Sequence, residues 1–308
     1  MKVFILYSIL INSAISEYDN RIITTLKYSK HQVQPTIVNG EPAKKGEVPF
    51  LVSLKEPAYK IDEDRTVWKN LCGGSIIGEL KVLTAAHCFE QNDFYYANHP
   101  RNLRIVAGDL RSDLVHSGKT DTTETTQLRK IDKVVLHNNF NFPSHDIALV
   151  FVDEKWNYTD HVDFIIPARK MTDYLNVCVT AGFGRIGHGV RAGVTPILLL
   201  AQIETMTRWK CSILWEMNMN SFICTGSVLT DVAKGDSGGP LACKGTRDPA
   251  EVPGRKLLAG VVSGKNFDRT TLYTRVSEYH DWLERDLANK INTGLNIALL
   301  FLIHLLFY

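Results

Sequence analysis

The chain has 308 residues, with 35 basic and 33 acidic side chains and a formal net charge of +2. This balance lacks the strong positive charge of nucleic-acid-binding proteins, so we expect no nucleic-acid partner. A hydrophobic fraction of 44% and a charged fraction of 22% exclude a wholly disordered chain and a multi-span membrane protein. The six cysteines are an even set that can pair fully in an oxidising compartment.

The first 16 residues have the organisation of a secretory signal peptide. Met1 and Lys2 precede an apolar run from Val3 to Ile11, and Ala14 and Ser16 are small residues at the cleavage positions. The alternative is an N-terminal membrane anchor, but the run is too short to cross a hydrocarbon core of roughly 30 Å. We therefore predict a secreted, extracellular protein.

Short apolar segments separated by turn residues follow along the chain. Many such segments, without an internal repeat or a low-complexity linker, predict an all-β barrel or sandwich. The predicted strands cover residues 50–54, 103–106, 133–136, 147–151, 177–180 and 257–262.

A glycine-rich segment in mid-chain, Gly182-Phe183-Gly184-Arg185-Ile186-Gly187, has the spacing of a dinucleotide-binding motif. That motif needs a crossover helix directly after it, yet Pro196 follows closely, with Gly189 and Gly193 in between. We therefore interpret the segment as a bend between strands.

One helix is predicted towards the end, with Ser277 as its N-cap. Its apolar residues at helical spacing are Tyr279, Trp282, Leu283, Leu287 and Ile291. Elsewhere, Asn157-Tyr158-Thr159 is a glycosylation acceptor in a secreted protein.

The C-terminal residues 291–308 contain an apolar block from Leu295 to Tyr308. As a helix this block would reach about 21 Å, short of the roughly 30 Å membrane core. Small residues ahead of it suggest a lipid-anchor signal, although the usual polar spacer is missing. The alternative is a tail that packs on the domain, so we expect membrane association only if the tail directs an anchor.

Three segments carry residues suited to nucleophilic catalysis. His87 follows an apolar strand, and Asp146 directly precedes another, where a partly buried carboxylate needs a partner. Each of these residues alone is more often structural than catalytic. The third segment, Gly235-Asp236-Ser237-Gly238-Gly239-Pro240, is more specific, because its glycines indicate an unusual backbone that exposes a hydroxyl and two amides.

In this order, the three segments resemble the chymotrypsin/trypsin family of serine endopeptidases. The resemblance extends over roughly 250 residues, from Ile37 to the final helix. Its other landmarks are Ile37-Val38-Asn39-Gly40, Cys72-Gly73-Gly74-Ser75, Gly182-Phe183-Gly184 and Tyr273-Thr274-Arg275-Val276. It implies two six-stranded antiparallel β-barrels with a C-terminal helix, with His87 and Asp146 on the first barrel and Ser237 on the second.

The resemblance also implies the roles of these residues. Ser237 would be the nucleophile, His87 the general base and Asp146 the residue that orients the imidazole. The amides of Gly235 and Ser237 would form the oxyanion hole. No metal or cofactor is required, and the implied partners of this monomer are protein or peptide substrates and protein protease inhibitors.

The family pattern further implies three disulfides that leave no cysteine unpaired, whereas six cysteines alone allow 15 pairings. The implied pairs are Cys72–Cys88, Cys178–Cys243 and Cys211–Cys224.

Two places depart from the family pattern. Activation would join the amine of a new N-terminal Ile37 to Asp236, but Thr36 stands where a basic residue is usual. The expected organisation is therefore a signal peptide at 1–16, a propeptide at 17–36 with an unusual release site, a protease domain at 37–290 and a tail at 291–308.

The second departure concerns the specificity pocket. Asp231 matches the acidic base of a pocket for Lys or Arg, and a substrate cation would pair with it. The wall differs, because Lys265 follows Ser263 and Gly264, and Thr271 replaces a glycine. Lys265 would either repel a cationic side chain or pair with Asp231.

These observations predict a secreted serine endopeptidase that cleaves after Lys or Arg. The alternative is a catalytically impaired, protease-like binding protein, whose pocket wall and activation site have drifted. An α/β-hydrolase is excluded, because it requires Gly-x-Ser-x-Gly and the order Ser, Asp, His.

Overall fold

The computed structural model describes residues 40–112, 114–116, 125–175, 177–184, 195–226, 232, 235–265 and 270–285. The predicted signal peptide and propeptide, Ile37, Asp231 and the C-terminal tail lie outside these residues. Within the described ranges, no helix is long and apolar enough to cross a membrane.

Antiparallel strands dominate the fold, as the alternation of short apolar segments and turns predicts. Each of the six predicted strands overlaps an observed one. The strands are β1 (Glu41–Pro42), β2 (Leu51–Lys60), β3 (Thr66–Gly78), β4 (Lys81–Thr84), β5 (Arg104–Ala107), β6 (Leu114–His116), β7 (Gln127–Leu136), β8 (Ala148–Val152), β9 (Ile166–Pro167), β10 (Val177–Gly182), β11 (Leu199–Glu204), β12 (Phe222–Thr225), β13 (Pro240–Cys243), β14 (Leu257–Lys265) and β15 (Thr271–Arg275).

The first sheet closes on itself. Its strands pair in the order β2-β5-β7-β8-β4-β3, and β3 pairs again with β2, which gives a six-stranded barrel. Strand β6 adds to β3 at the side of this barrel. Closure buries the inward-facing aliphatic side chains, among them Leu54, Ile76, Leu83 and Ile105, which have no exposed surface.

The second sheet pairs in the order β1-β11-β10-β13-β14-β15-β12, with β9 beside β14. An isolated bridge between Thr205 and Thr225 joins the end of β11 to β12. Leu241, Ala259 and Tyr273 fill its core without exposed surface. The barrel, the second sheet and the C-terminal helix confirm the chymotrypsin-like fold.

Among the residues that the structure describes, helices are few and short. They are a 3-10 turn at Ala86–Phe89, α1 (Gln91–Asn98), a 3-10 turn at Pro100–Asn102, α2 (Arg208–Trp215) and a 3-10 turn at Val276–Tyr279 that continues as α-helix over 280–285.

The C-terminal helix begins differently from the prediction. Ser277 is not its N-cap, because it lies inside the 3-10 turn that precedes the α-helix, and Arg275 occupies the cap position. The Ser277 hydroxyl instead contacts the Met171 sulfur at 3.5 Å. Tyr279 and Leu283 pack into the core of the first barrel, as the helical spacing predicts. The chain therefore returns from the second sheet to the first barrel and holds the two together.

Candidate active site

His87 is carried by the 3-10 turn that follows β4. Ala85 and Ala86 are fully buried, and a disulfide between Cys88 and Cys72 ties the turn to β3. The imidazole retains 13% of its side-chain exposure. The Phe142 ring packs edge-on against it, with the ring centroids 5.5 Å apart. The histidine is therefore held rigidly while part of its ring stays accessible.

Asp146 lies directly before β8 and has no exposed surface. One carboxylate oxygen accepts the His87 amide at 2.9 Å, and the other lies 2.7 Å from His87 Nδ1. The Ser263 hydroxyl donates to this second oxygen at 2.5 Å, and the Thr274 hydroxyl donates to the Asp146 carbonyl at 2.8 Å. These contacts meet the requirement that a buried carboxylate has hydrogen-bond donors around it.

This contact also determines where the imidazole carries its proton. A carboxylate only accepts hydrogen bonds, so Nδ1 must be the protonated nitrogen of neutral His87. The other nitrogen, Nε2, then keeps a free lone pair. The pair can therefore act as an oriented general base.

The loop at Ser237 is attached to both halves of the fold. The Ser237 carbonyl accepts the Gly73 amide of β3 at 2.7 Å, and the Gly238 amide donates to the Val262 carbonyl of β14 at 2.8 Å. In turn, the Thr84 hydroxyl donates to the Gly73 carbonyl at 2.7 Å. Thr84 lies three residues before His87, so the serine loop and the histidine turn share one support.

Glycine is required at 238 for two reasons. Its φ is +77°, and a Cβ there would lie 2.1 Å from the Thr84 hydroxyl oxygen. Any side chain would push the serine loop away from β4. The neighbouring residues Asp236 and Gly238 are buried, while Ser237 itself is only partly buried. The backbone thus places Ser237 at the junction of the two sheets.

Asp236 explains the glycine-rich segment in mid-chain. Its carboxylate is fully buried and accepts the Gly184 amide at 2.8 Å. A Cβ at Gly182 or Gly184 would lie 2.2 or 2.4 Å from its oxygens. The bend interpretation stands for Gly182–Gly184, and the structure adds that these glycines make room for a carboxylate; residues 185–194 lie outside the described ranges.

Most of the chain matches one known protein family. The trypsin family matches residues 37–283 of this chain. The chain belongs to the trypsin family. It is therefore a trypsin-like serine protease by family, and the fold described above is the one such proteins share.

Other residues that the resemblance assigned are placed as follows. The structure contains the disulfides Cys72–Cys88, Cys178–Cys243 and Cys211–Cys224, the pairing that the resemblance implied. Asn157 is exposed, and its main chain is hydrogen bonded to the Gln127 side chain.

The residues predicted to form the pocket wall, Ser263, Lys265 and Thr271, lie on β14 and β15. Lys265 and Thr271 are directly paired, and both are buried. Burial lowers the pKa of Lys265 from 10.5 to about 7. Ser263 also contacts Asp146, so the predicted wall is directly adjacent to the His87–Asp146 pair. Asp231, the predicted base of this pocket, and residues 266–269 lie outside the described ranges.

Among the described residues, the candidate metal ligands that cluster are Cys72, His87 and Cys88, with ligand atoms within 4.8 Å of one another. Both sulfurs are consumed in a disulfide, so no thiolate is present to bind a metal. The arrangement therefore serves to fix His87.

Two side chains contribute to the site in ways that the sequence does not predict. Ser263, predicted as a pocket residue, also donates to the Asp146 carboxylate. Asn70, which belongs to no motif, donates from its side chain to the Gly235 carbonyl at 3.0 Å. Neither contact has a sequence signal, because each joins segments that are more than 100 residues apart.

Proposed function

We propose that this chain is a secreted serine endopeptidase that uses Ser237, His87 and Asp146. The observation that supports it best is the buried Asp146 carboxylate 2.7 Å from His87 Nδ1. This contact leaves Nε2 as the basic nitrogen. The Gly73 and Thr84 hydrogen bonds connect the same part of the first barrel to the Ser237 loop.

The reaction proceeds by acyl transfer. His87 Nε2 removes the Ser237 proton as the hydroxyl oxygen attacks the scissile carbonyl, and the tetrahedral intermediate forms. His87 then gives the proton to the leaving amine, the peptide C–N bond breaks, and an acyl-enzyme remains. Water, activated by the same histidine, releases the acid product and restores Ser237. Asp146 stabilises the imidazolium in both half-reactions.

The oxyanion would be held by the amides of Gly235 and Ser237. A single donor in such a site contributes roughly 3–4 kcal/mol to the transition state. The positive φ of Gly235, +107°, is a conformation that glycine adopts readily. In the proposed function, this backbone would aim the two amides at one point.

Covalent labelling tests the catalytic proposal. The protein, processed to begin at Ile37, is treated with a fluorophosphonate probe beside its Ser237→Ala and His87→Ala variants. We expect labelling of the wild type, none of Ser237→Ala and very slow labelling of His87→Ala. A wild type that is folded and unlabelled would favour the protease-like binding protein instead.

Maturation would follow the boundaries predicted from the sequence, with signal peptide 1–16, propeptide 17–36 and protease domain 37–290. The amine of Ile37 would pair with Asp236, whose burial makes a cationic partner favourable. Since Thr36 precedes Ile37, a protease of another class than trypsin would release it. N-terminal sequencing of the natural secreted protein tests this, and a start other than Ile37 contradicts it.

Cleavage after Lys or Arg is the specificity that the Asp231 charge supports. Lys265 opposes it, since its side chain occupies the wall and, when it is protonated, would repel a cationic substrate side chain. A peptide library tests the preference with wild type and Asp231→Ser. We expect Lys/Arg cleavage by the wild type and its loss in the variant; an unchanged preference would refute the role of Asp231.

A lipid anchor directed by residues 291–308 is the one membrane association that we propose. Release of the protein from intact cells by phosphatidylinositol-specific phospholipase C would support it. Recovery of the protein in the medium without that treatment would show a freely secreted enzyme.

A further inference from the structure

Four consecutive residues of the serine loop are fixed alternately by the two halves of the fold. Gly235 and Ser237 are bonded to β3 through Asn70 and Gly73, and Asp236 and Gly238 are bonded to the second-sheet side through Gly184 and Val262. Three of these contacts are made by main-chain amides. The contact to Gly235 is different, because its donor is a side-chain amide, that of Asn70.

A β-bulge lies next to Asn70 in β3. Lys55 of β2 pairs with Asn70 and Leu54 pairs with Cys72, so Leu71 is an extra residue opposite the two. Bulges bend a strand and re-aim side chains. Asn70 Oδ1 accepts the Ser53 hydroxyl at 2.6 Å, and its Nδ2 donates to the Gly235 carbonyl at 3.0 Å. The Gly235 carbonyl can only accept a hydrogen bond, so it fixes Nδ2 as the end of the amide that faces it, and the Ser53 hydroxyl then donates to Oδ1.

The bonded carbonyl belongs to the peptide unit between Gly235 and Asp236. This unit lies between the two peptide units that carry the amides of Gly235 and Ser237. Glycine at 235 has no side chain to limit its rotation, and its φ is +107°. A rotation of the central unit would turn the two amides away from a common point, and the hydrogen bond from Asn70 opposes that rotation.

We propose that Asn70 is a positioning residue for the oxyanion hole, which it holds in the binding geometry through the Gly235 carbonyl. This inference rests on the proposed function, since it assigns Asn70 to the same reaction. Asn70 does not touch the substrate; it acts through the backbone of the loop.

The isosteric variant Asn70→Asp separates this role from a merely structural one. The aspartate keeps the shape and still accepts from Ser53, but it presents an acceptor to the Gly235 carbonyl. We expect kcat to fall about tenfold or more while KM stays within twofold, with a smaller fall in Asn70→Ala. The matched control is Asn102→Ala, which removes an exposed amide contact to Tyr95 and leaves both constants unchanged.

A pair of inhibitors reports on the oxyanion hole itself. A peptide aldehyde forms a tetrahedral adduct with an oxyanion, and the matching peptide alcohol does not. We expect Asn70→Asp to lower the affinity for the aldehyde by the same factor as it lowers kcat/KM, and to leave the affinity for the alcohol unchanged. Equal weakening of both inhibitors would overturn the inference, as would no weakening of either.

Hydrogen exchange gives a readout that does not need activity. In full-length protein, we expect the peptide covering 235–243 to exchange at least threefold faster in Asn70→Asp than in wild type or Asn102→Ala. Unchanged exchange would contradict the restraint on the loop. If the wild type were neither labelled by fluorophosphonate nor active, the proposed function would fail, while the exchange result would still decide whether Asn70 holds the loop.

Discussion

Strand β14 takes part in two regions that differ in how closely they follow the trypsin family. At Ser263 its side chain donates to the buried Asp146 carboxylate, where the surrounding polar atoms are matched in donors and acceptors. Two residues further on, Lys265 places a buried amine at a position where the sequence departs from the family pattern. One strand therefore supports both the proposed catalytic centre and the proposed pocket wall.

The comparison separates two kinds of constraint. The catalytic region is tied together by hydrogen bonds between distant segments, so a change at one residue leaves a buried partner unsatisfied. In the proposed function, the wall residues Lys265 and Thr271 would instead line the space for the substrate side chain. A substitution at Lys265 should therefore change which substrate side chain fits while the hydrogen bonds at Asp146 and the Ser237 loop stay in place.

The largest expected effect comes from breaking the catalytic region at Asp146. Asp146→Asn removes the carboxylate that keeps the proton on His87 Nδ1, so kcat/KM should fall about 10⁴-fold, the loss known for this substitution in related triads. Steady-state kinetics measures it. Asp132→Asn, at an exposed ion pair with Arg101, is the control and should retain full activity. A loss below tenfold would show that His87 does not depend on Asp146.

Removing the hydroxyl that β14 supplies should have a smaller effect. Ser263→Ala deletes a hydrogen bond to a buried carboxylate, which contributes about 1.5–3 kcal/mol, so kcat should fall roughly 10- to 100-fold. Ser75→Ala is the matched control, because the Ser75 hydroxyl is buried without a hydrogen-bond partner among the described residues. If the two variants had the same kcat, the Ser263 hydroxyl would have no role in supporting Asp146.

The buried Lys265 should make the free energy of unfolding depend on pH. The pKa of Lys265 is about 7 in the fold and 10.5 in the unfolded chain, so between these values the unfolded chain binds a proton that the folded chain does not. The free energy of unfolding should therefore rise with pH, by about 2 kcal/mol from pH 7 to pH 9 relative to Lys265→Met. Denaturant unfolding at both pH values measures this. The exposed-site variant Lys60→Met should keep the full rise, and a Lys265→Met protein that also kept it would contradict the assignment.

The smallest expected effect is that of Lys265→Gly, which tests whether Lys265 limits cleavage after Lys or Arg. Lys265→Gly removes both the volume and the cation from the wall, so kcat/KM for substrates with Lys or Arg should rise about tenfold. The rate of fluorophosphonate labelling should stay the same, because Ser263 and Asp146 are untouched. A parallel change in both rates would mean that Lys265 supports the catalytic region as well.

Much of this organisation was predictable from local sequence. The six strand segments overlap observed strands because short apolar runs between turns fold in only a few ways. The helix with Tyr279 and Leu283 was also predicted, although its start was not, since Ser277 contacts Met171 rather than capping the helix. Element boundaries depend on neighbours in space, and the sequence pattern does not contain them.

The sequence by itself determined the all-β class, the family and the identity of the residues proposed for catalysis, because these depend on residue types in a fixed order. Only the tertiary structure decided how they are supported. The glycines at 182 and 184 make room for Asp236, Gly238 allows the serine loop to reach Thr84, and Asn70 holds the Gly235 carbonyl. Each of these is a contact between segments far apart in the chain, so its chemistry exists only once the barrel has closed and the second sheet has packed beside it.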